Sequence, residues 1–485
     1  MNAIPVRPQR RRLARACWSF LIAAPLCAGP AFALGAATAS PQDYAGVVGL
    51  REGYLSAAHW IAQLSDPDRV ILDRAGIAAQ NARMRQLDGS IHNLRALPAT
   101  VTRSFVRGQI EAISRPPTRT LYDVQGKEIG AAQLRAIADN LALDRVADKR
   151  PLQYGLIVHR AALRAFPTGL RAFSSSDDTD IDRFQESALF PGDAVAVLHE
   201  SADGDWLFVA SERYVAWVEK RFVGIGDAAQ VFGYGTSGPH RVITGATATT
   251  VYTPEEPRVS RLQLDMGVRV PVLADWPALE PVNGQQGHAA HVIQLPVRND
   301  DGSLALVPAL LPRSQDSSDD YLALTPRNLL TQAFKFLGER YGWGHSYDTR
   351  DCSGFVSEIY RSFGVLLPRN TSAQAVSPAL DRIAFGDKDG KDGKAKRDAA
   401  VDALQVGDLV YIPGHVMMTI GHADGMAWMI HDTSGGSWFG ADGKRIPAHL
   451  NGVSVTPLQP MMASDTASYV DRITNIQRIR PHTAK

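Results

Sequence analysis

Three residues in the last third of the chain, Cys352, His415 and His431, have the types and spacing for nucleophilic chemistry. Cys352 lies in Arg350-Asp351-Cys352-Ser353-Gly354-Phe355, and apolar residues follow at Val356, Ile359, Tyr360 and Phe363 before Gly364. That spacing predicts one apolar helix face with Cys352 at the helix N-terminus. The unpaired N–H groups and positive dipole end there favour thiolate over thiol, lowering a cysteine pKa from about 8.5. A thiolate nucleophile also needs a base or ion-pair partner, most often histidine. Residues 407–412, 414–420 and 427–431 read as successive strands, with a hairpin signal at Ala423-Asp424-Gly425 between the last two. A turn centred near Ala423 makes paired positions sum to about 846, which sets His415 opposite His431. The expected arrangement is a relay: Cys352 attacks, His415 carries the proton, and His431 orients His415. His422 falls at the turn itself and is left out of the relay.

Several elements must hold these residues. Thr325 and Pro326 open a helix whose apolar face is Leu329, Leu330, Phe334 and Leu337, and Gly338 ends it. Upstream, residues 45–145 read as helical, with apolar positions at Ile77, Ala78, Met84 and Leu87 and again at Leu134, Ile137, Ala138 and Leu141. From about 150 the pattern changes to short strands, at 194–198, 206–209 and 214–218, and a second β-rich stretch runs over 236–315. Strands so short and regularly spaced suggest small barrels. The Gly-, Asp- and Lys-rich segment Asp387 to Asp398 reads as a solvated loop.

The chain has 485 residues, 45% apolar and 21% charged, an ordinary globular composition that excludes wholesale disorder and a polytopic membrane protein. Its length implies roughly three to four domains. Residues 1–33 begin with Arg10-Arg11-Arg12, continue through an apolar stretch and end in Ala31-Phe32-Ala33, the order of a secretory signal peptide. They carry five arginines and no acid, so their removal leaves 46 basic against 50 acidic residues. Such a chain has no global attraction for nucleic acid and no segment that inserts stably in a membrane. Cys17 and Cys27 leave with the signal, so Cys352 stands alone. Neither an intramolecular disulfide nor a zinc site is then expected, and no metal or other cofactor is implied. A solitary cysteine is a buried inert thiol or a nucleophile. Asp351 also reads as a helix cap, and Trp343 as a core aromatic.

Taken together, Tyr341-Gly342-Trp343-Gly344, Asp351-Cys352-Ser353-Gly354-Phe355, Leu367-Pro368-Arg369, Gly407-Asp408-Leu409 and His415 resemble the NlpC family of cell-wall cysteine endopeptidases. The resemblance covers about residues 322–480 and implies a multidomain α+β protein with a papain-like catalytic domain. The expected order is a signal peptide (1–33), a helical N-terminal clip (34–150), SH3-like barrels over 151–235 and 236–320, and the peptidase domain (321–485). It implies hydrolysis of the γ-D-glutamyl–diaminopimelate bond in peptidoglycan stem peptides, by an exported enzyme that needs a free N-terminal L-alanine. Asp351 and Ser353 would hold that ammonium, Tyr214 would close the same end of the cleft, and Trp343 would line the pocket. His345 stands where the family often has glycine. An amidase or acyltransferase acting on another amide or ester, and a non-catalytic peptidoglycan-binding protein, stay open as alternatives.

Overall fold

The computed structural model describes residues 46–386 and 392–481, so the signal segment 1–33 lies outside the described residues. The described chain is a multidomain α+β protein. Helices form where apolar spacing and caps coincide. Arg74–Leu87 is capped by Asp73, which accepts from the Gly76 amide, and it buries Ile77 and Met84. Arg103–Ile113 is capped by Thr102 and buries Val106 and Ile110, and Ala131–Asp139 buries Ile137.

These helices serve two cores. Trp60, Ile77 and Met84 join the core of the last region with Phe355, Met418 and Trp428. Val106, Ile110 and Ile137 instead pack with Phe184, Phe208 and Trp217 of the first β-rich region. The early segment is fastened to the hairpin that carries the two histidines by polar contacts too. Arg51 and the Tyr54 hydroxyl donate to Asp424 at 2.9 and 2.7 Å, and Leu72 bridges to Leu324.

The first β-rich region forms a seven-stranded antiparallel sheet in the order Gln185–Leu189, Ala161–Arg164, Val215–Glu219, Trp206–Ala210, Ala194–Glu200, Gln153–Ile157, Val223–Gly226. The second consists of small sheets whose strands share a core around Ile243, Leu264, Val270, Ile293 and Leu311.

The last region is a six-stranded antiparallel sheet: Asp381–Ala384, Asn475–Arg478, Leu409–Ile412, His415–Ala423, Met426–Thr433, Gly452–Pro457. The helix Cys352–Arg361 packs on the strands carrying the two histidines. Pro326–Phe334 precedes it, with the Thr325 hydroxyl accepting from the Asn328 amide.

Two expectations need correction. Residues Asp392–Asp402 form a helix rather than a loop, while 387–391 lie outside the described residues. Buried Val401 anchors that helix, Lys394 and Asp398 pair one turn apart, and Arg397 donates to the Ile473 carbonyl. The hairpin register also differs. Its turn is Asp424-Gly425, both with positive φ, and a bulge lies between Thr419 and Gly421. Beyond the bulge Met418 faces Ile430, so His415 lies diagonal to His431 rather than opposite it. Both still project to one side, since the pairing has shifted by two residues.

Candidate active site

Cys352 opens its helix with Asp351 as the N-cap, whose carboxylate accepts from the Gly354 amide. Cys352 is buried, its sulfur lies 3.5 Å from the Thr371 hydroxyl, and the amide of Val416 donates to it. Val416 directly follows His415, so the thiol rests against the start of the histidine strand. Among the described residues no hydrogen bond joins sulfur to imidazole.

His415 is partly exposed to a cleft of about 470 Å³ that Tyr341, Trp343, Ile412 and Gly414 also line. Its Nε2 lies 2.7 Å from His431 Nδ1, and His431 Nε2 lies 3.0 Å from the Thr456 hydroxyl. For His415 to accept a proton at its free Nδ1, Nε2 must carry hydrogen and donate to His431. His431 then donates from Nε2 to Thr456. The chain of donors thus runs in one direction, from the cleft edge into the sheet.

The electrostatics differ from a helix start acting alone. Burial, then the neighbouring Asp351 carboxylate, push the Cys352 thiol up to about 12. Burial holds His415 down to about 4, and His431 well below its ordinary value. At neutral pH the resting pair is thiol and neutral imidazole. The helix-end field is outweighed first by burial of the sulfur and then by the negative charge of Asp351, the cap beside it.

Asp351 is fully engaged. Besides the Gly354 amide, it accepts from the Ser353 hydroxyl at 3.0 Å and the Gly344 amide at 3.0 Å. Arg369 donates to both its oxygens, at 3.1 and 2.8 Å, and to Ser353 Oγ at 2.8 Å. Burial alone would raise this carboxyl, but Arg369 holds it well below the usual carboxylate range. Tyr214 lies nearby, its hydroxyl donating to Glu186 at 2.5 Å with Asn370 within hydrogen-bonding reach. The second Glu186 oxygen has no partner among the described residues, and burial raises its pKa. Trp343 Nε1 donates to the Gln185 carbonyl at 3.0 Å. His422 instead bonds the Val401 carbonyl, away from the pair.

The turn before the helix is strained and pinned. Gly344, His345, Tyr347 and Asp348 all have φ between 56° and 66°. A Cβ at Gly344 would come within 3.0 Å of the Gln185 backbone, so strand Gln185–Leu189 approaches as only glycine allows. Arg160 donates to the His345 and Thr349 carbonyls at 3.0 and 2.8 Å. His345 is buried, and Arg369 donates to its Nδ1 at 2.8 Å, so its Nε2–H faces Glu358 at 2.9 Å. Glu358 also pairs with fully buried Arg350, which bonds Glu339 and Asp265 as well. Arg369, Glu186 and Thr456 are site residues that local sequence spacing does not mark; only Arg369 carries a signal, as the third residue of Leu367-Pro368-Arg369.

Residues 338–440 match the NlpC/P60 family and residues 171–219 match an SH3 domain of the SH3b1 type. A γ-D-glutamyl-L-lysine dipeptidyl-peptidase of Bacillus cereus is 25% identical over 327 residues, 62% of this chain and 77% of that protein. A probable endopeptidase p60 of Listeria welshimeri is 44% identical over 50 residues, a tenth of each chain. The fold is shared with an NlpC/P60 endopeptidase from Photobacterium damselae subsp. piscicida, with a TM-score of 0.68 at 16% identity, over 88% of this chain and 97% of that one.

Proposed function

We propose that this chain, which carries an NlpC/P60 peptidase-type domain behind an SH3b-type domain, hydrolyses the γ-D-glutamyl–meso-diaminopimelate bond of peptidoglycan stem peptides outside the cytoplasm. The observation that carries the reading is one helix-start cysteine set against the first residues of a strand whose His415 is hydrogen-bonded to His431. The Bacillus cereus relative, named for a γ-D-glutamyl bond, supports the bond class. Among the described residues no helix is long and apolar enough to cross a membrane.

In the proposed reaction His415 Nδ1 takes the Cys352 proton as sulfur attacks the γ-carbonyl carbon. The proton transfer accompanies attack, because thiol and imidazole are both neutral beforehand. His431, backed by Thr456, steadies the imidazolium. Collapse of the tetrahedral adduct breaks the C–N bond, and the diaminopimelate amine takes the proton from His415. Water, deprotonated by His415, then hydrolyses the thioester and restores the thiol.

The free L-alanine ammonium goes to the neighbourhood of Asp351, Ser353 and Tyr214, all of them close to Arg369. Arg369 already neutralises Asp351, so Glu186, with one oxygen free, is the stronger counter-charge there. A half-buried carboxylate awaiting an ammonium would discriminate against N-acylated substrate.

The test is mass spectrometry on two matched peptides, L-Ala-γ-D-Glu-diaminopimelate-D-Ala with a free amine and the same peptide joined to N-acetylmuramic acid. Release of L-Ala-γ-D-Glu from the free form only, lost in Cys352→Ala, is the expected result. Equal cleavage of both would discard the ammonium site. Cleavage of neither would turn the reading toward another amide or ester, or toward a peptidoglycan-binding protein.

A further inference from the structure

Away from the cleft lies a second cavity of about 720 Å³. Its walls come from the helix Arg74–Leu87, the first β-rich region and the far end of the catalytic helix. Arg361 closes that helix, about 14 Å along its axis from Cys352 at 1.5 Å per residue. The cavity shares no lining residue with the cleft beside His415.

Its charge does not balance. Four arginines face it, Arg85, Arg95, Arg213 and Arg361, against two carboxylates, Asp193 and Glu212. Both carboxylates are taken. Glu212 accepts from Arg85 at 2.8 Å. Asp193 accepts from Arg361 Nη2 and from the Phe190 amide, each at 2.9 Å. Arg95 spends a donor on the Phe232 carbonyl and lies over that ring. Arg361 Nη1 is buried with no hydrogen-bond partner, and Arg213 forms neither hydrogen bond nor ion pair among the described residues. Burial, then the like charge of Arg361, hold Arg213 down to about 10. Arg213, half-buried and unpaired, and the unpartnered Nη1 of half-buried Arg361 therefore face a partly open space without a free counter-charge, and an anion there would supply one.

We propose that this cavity is a binding site for an organic carboxylate of about the size of a short acidic peptide. Arg213 and Arg361 would grip the carboxylate with their planar forks. Leu94, Leu189, Leu366 and Leu367 line the same space and would cover the ligand's carbon frame, which an inorganic anion lacks. The volume falls within the usual range for small-molecule sites. The proposal is independent of the peptidase reading.

The experiment is isothermal titration of the whole protein with citrate and, in parallel, inorganic phosphate at matched ionic strength. Arg213→Gln is compared with Arg221→Gln, a salt-bridged and exposed control outside the cavity. The expected result is citrate binding to the wild type in the submillimolar range, at least tenfold weaker in Arg213→Gln and unchanged in Arg221→Gln. Phosphate should bind more weakly than citrate. In anion-free buffer Arg213→Gln should melt no lower than the wild type, because it removes an unpaired charge. No citrate binding to the wild type, equal binding by Arg213→Gln, tighter binding of phosphate, or a lowered melting temperature would each overturn the proposal.

Discussion

The resting thiol should be sluggish toward small electrophiles at neutral pH, and the size of the effect follows from its surroundings. Burial and Asp351 put the Cys352 pKa at about 12, against about 8.5 for a free cysteine. At pH 8 a free thiol is about one quarter thiolate, whereas this one would be about one part in ten thousand, a deficit of roughly 2,000-fold. A more basic thiolate is a better nucleophile, with a Brønsted slope of about 0.4–0.5, which returns roughly 40-fold. Exchange with a small aromatic disulfide reagent should therefore run about fifty times slower than with a free cysteine. Its logarithm should rise with unit slope from pH 6 through pH 10. Thr371→Val should slow it further, because the Thr371 hydroxyl supports the thiolate. Stopped-flow absorbance of the reagent's leaving group measures all of this without substrate. A rate that is flat between pH 5 and pH 8 would refute the reasoning, because it would mean a thiolate–imidazolium pair already formed at rest.

Thr456→Val removes the acceptor behind His431, and a lost buried hydrogen bond of roughly 1–2 kcal/mol corresponds to about tenfold in kcat with KM little changed, read by steady-state kinetics. Arg369→Leu strands the Asp351 carboxylate in the interior and should cost about 3–5 kcal/mol in urea unfolding, part of it recovered by the further change Asp351→Asn. Below pH 6.5 the unfolded chain protonates His415 while the folded chain, with its value near 4, does not. Stability should therefore fall by about 2 kcal/mol from this residue between pH 7 and pH 4.5, and His415→Asn should flatten that part of the profile. Asp351 adds to the acid loss: its lowered carboxyl contributes stability above its ordinary range, and that contribution disappears as pH falls through the folded value. Tyr214→Phe should raise KM for the free-amine peptide more than it lowers kcat, because the hydroxyl orients Glu186 from outside the reacting bond.

What was legible in the sequence was local. The cap at Asp351, the periodicity from Phe355 to Phe363 and the glycine at 364 are neighbours along the chain, so the helix and the position of Cys352 follow from them. The histidine pair was legible for a subtler reason. The turn lies later than expected and a bulge intervenes, yet the net displacement is two residues, which keeps His415 and His431 on one side. Contacts made by tertiary packing were hidden. Nothing near Asp351 announces Arg369, 18 residues away, and nothing near Tyr214 announces Glu186 on another strand. The thiol's raised pKa was hidden in the same way, because burial belongs to the fold and opposes the helix-end field. The segment beginning at Asp392 misleads by composition: Gly, Asp and Lys suggest a loop, but Val401 supplies the anchor that lets it coil.

The clasp between the early segment and the histidine hairpin bears on how the polypeptide is made. Arg51 waits for a partner 373 positions later, and at 5–20 residues per second that is roughly twenty to seventy seconds of synthesis. Throughout that interval Trp60, almost wholly buried in the finished protein, has no hairpin to rest on. An expression fragment beginning near residue 321 would meet the converse problem, since Trp428 and Leu324 would lose the apolar cover that Tyr54, Trp60 and Leu72 provide. A shortened chain would therefore need residues 46–91 to cover Trp428 and Leu324, and also the β-rich segments whose Gln185, Ser187 and Arg160 hold Trp343, Arg369 and the turn at His345.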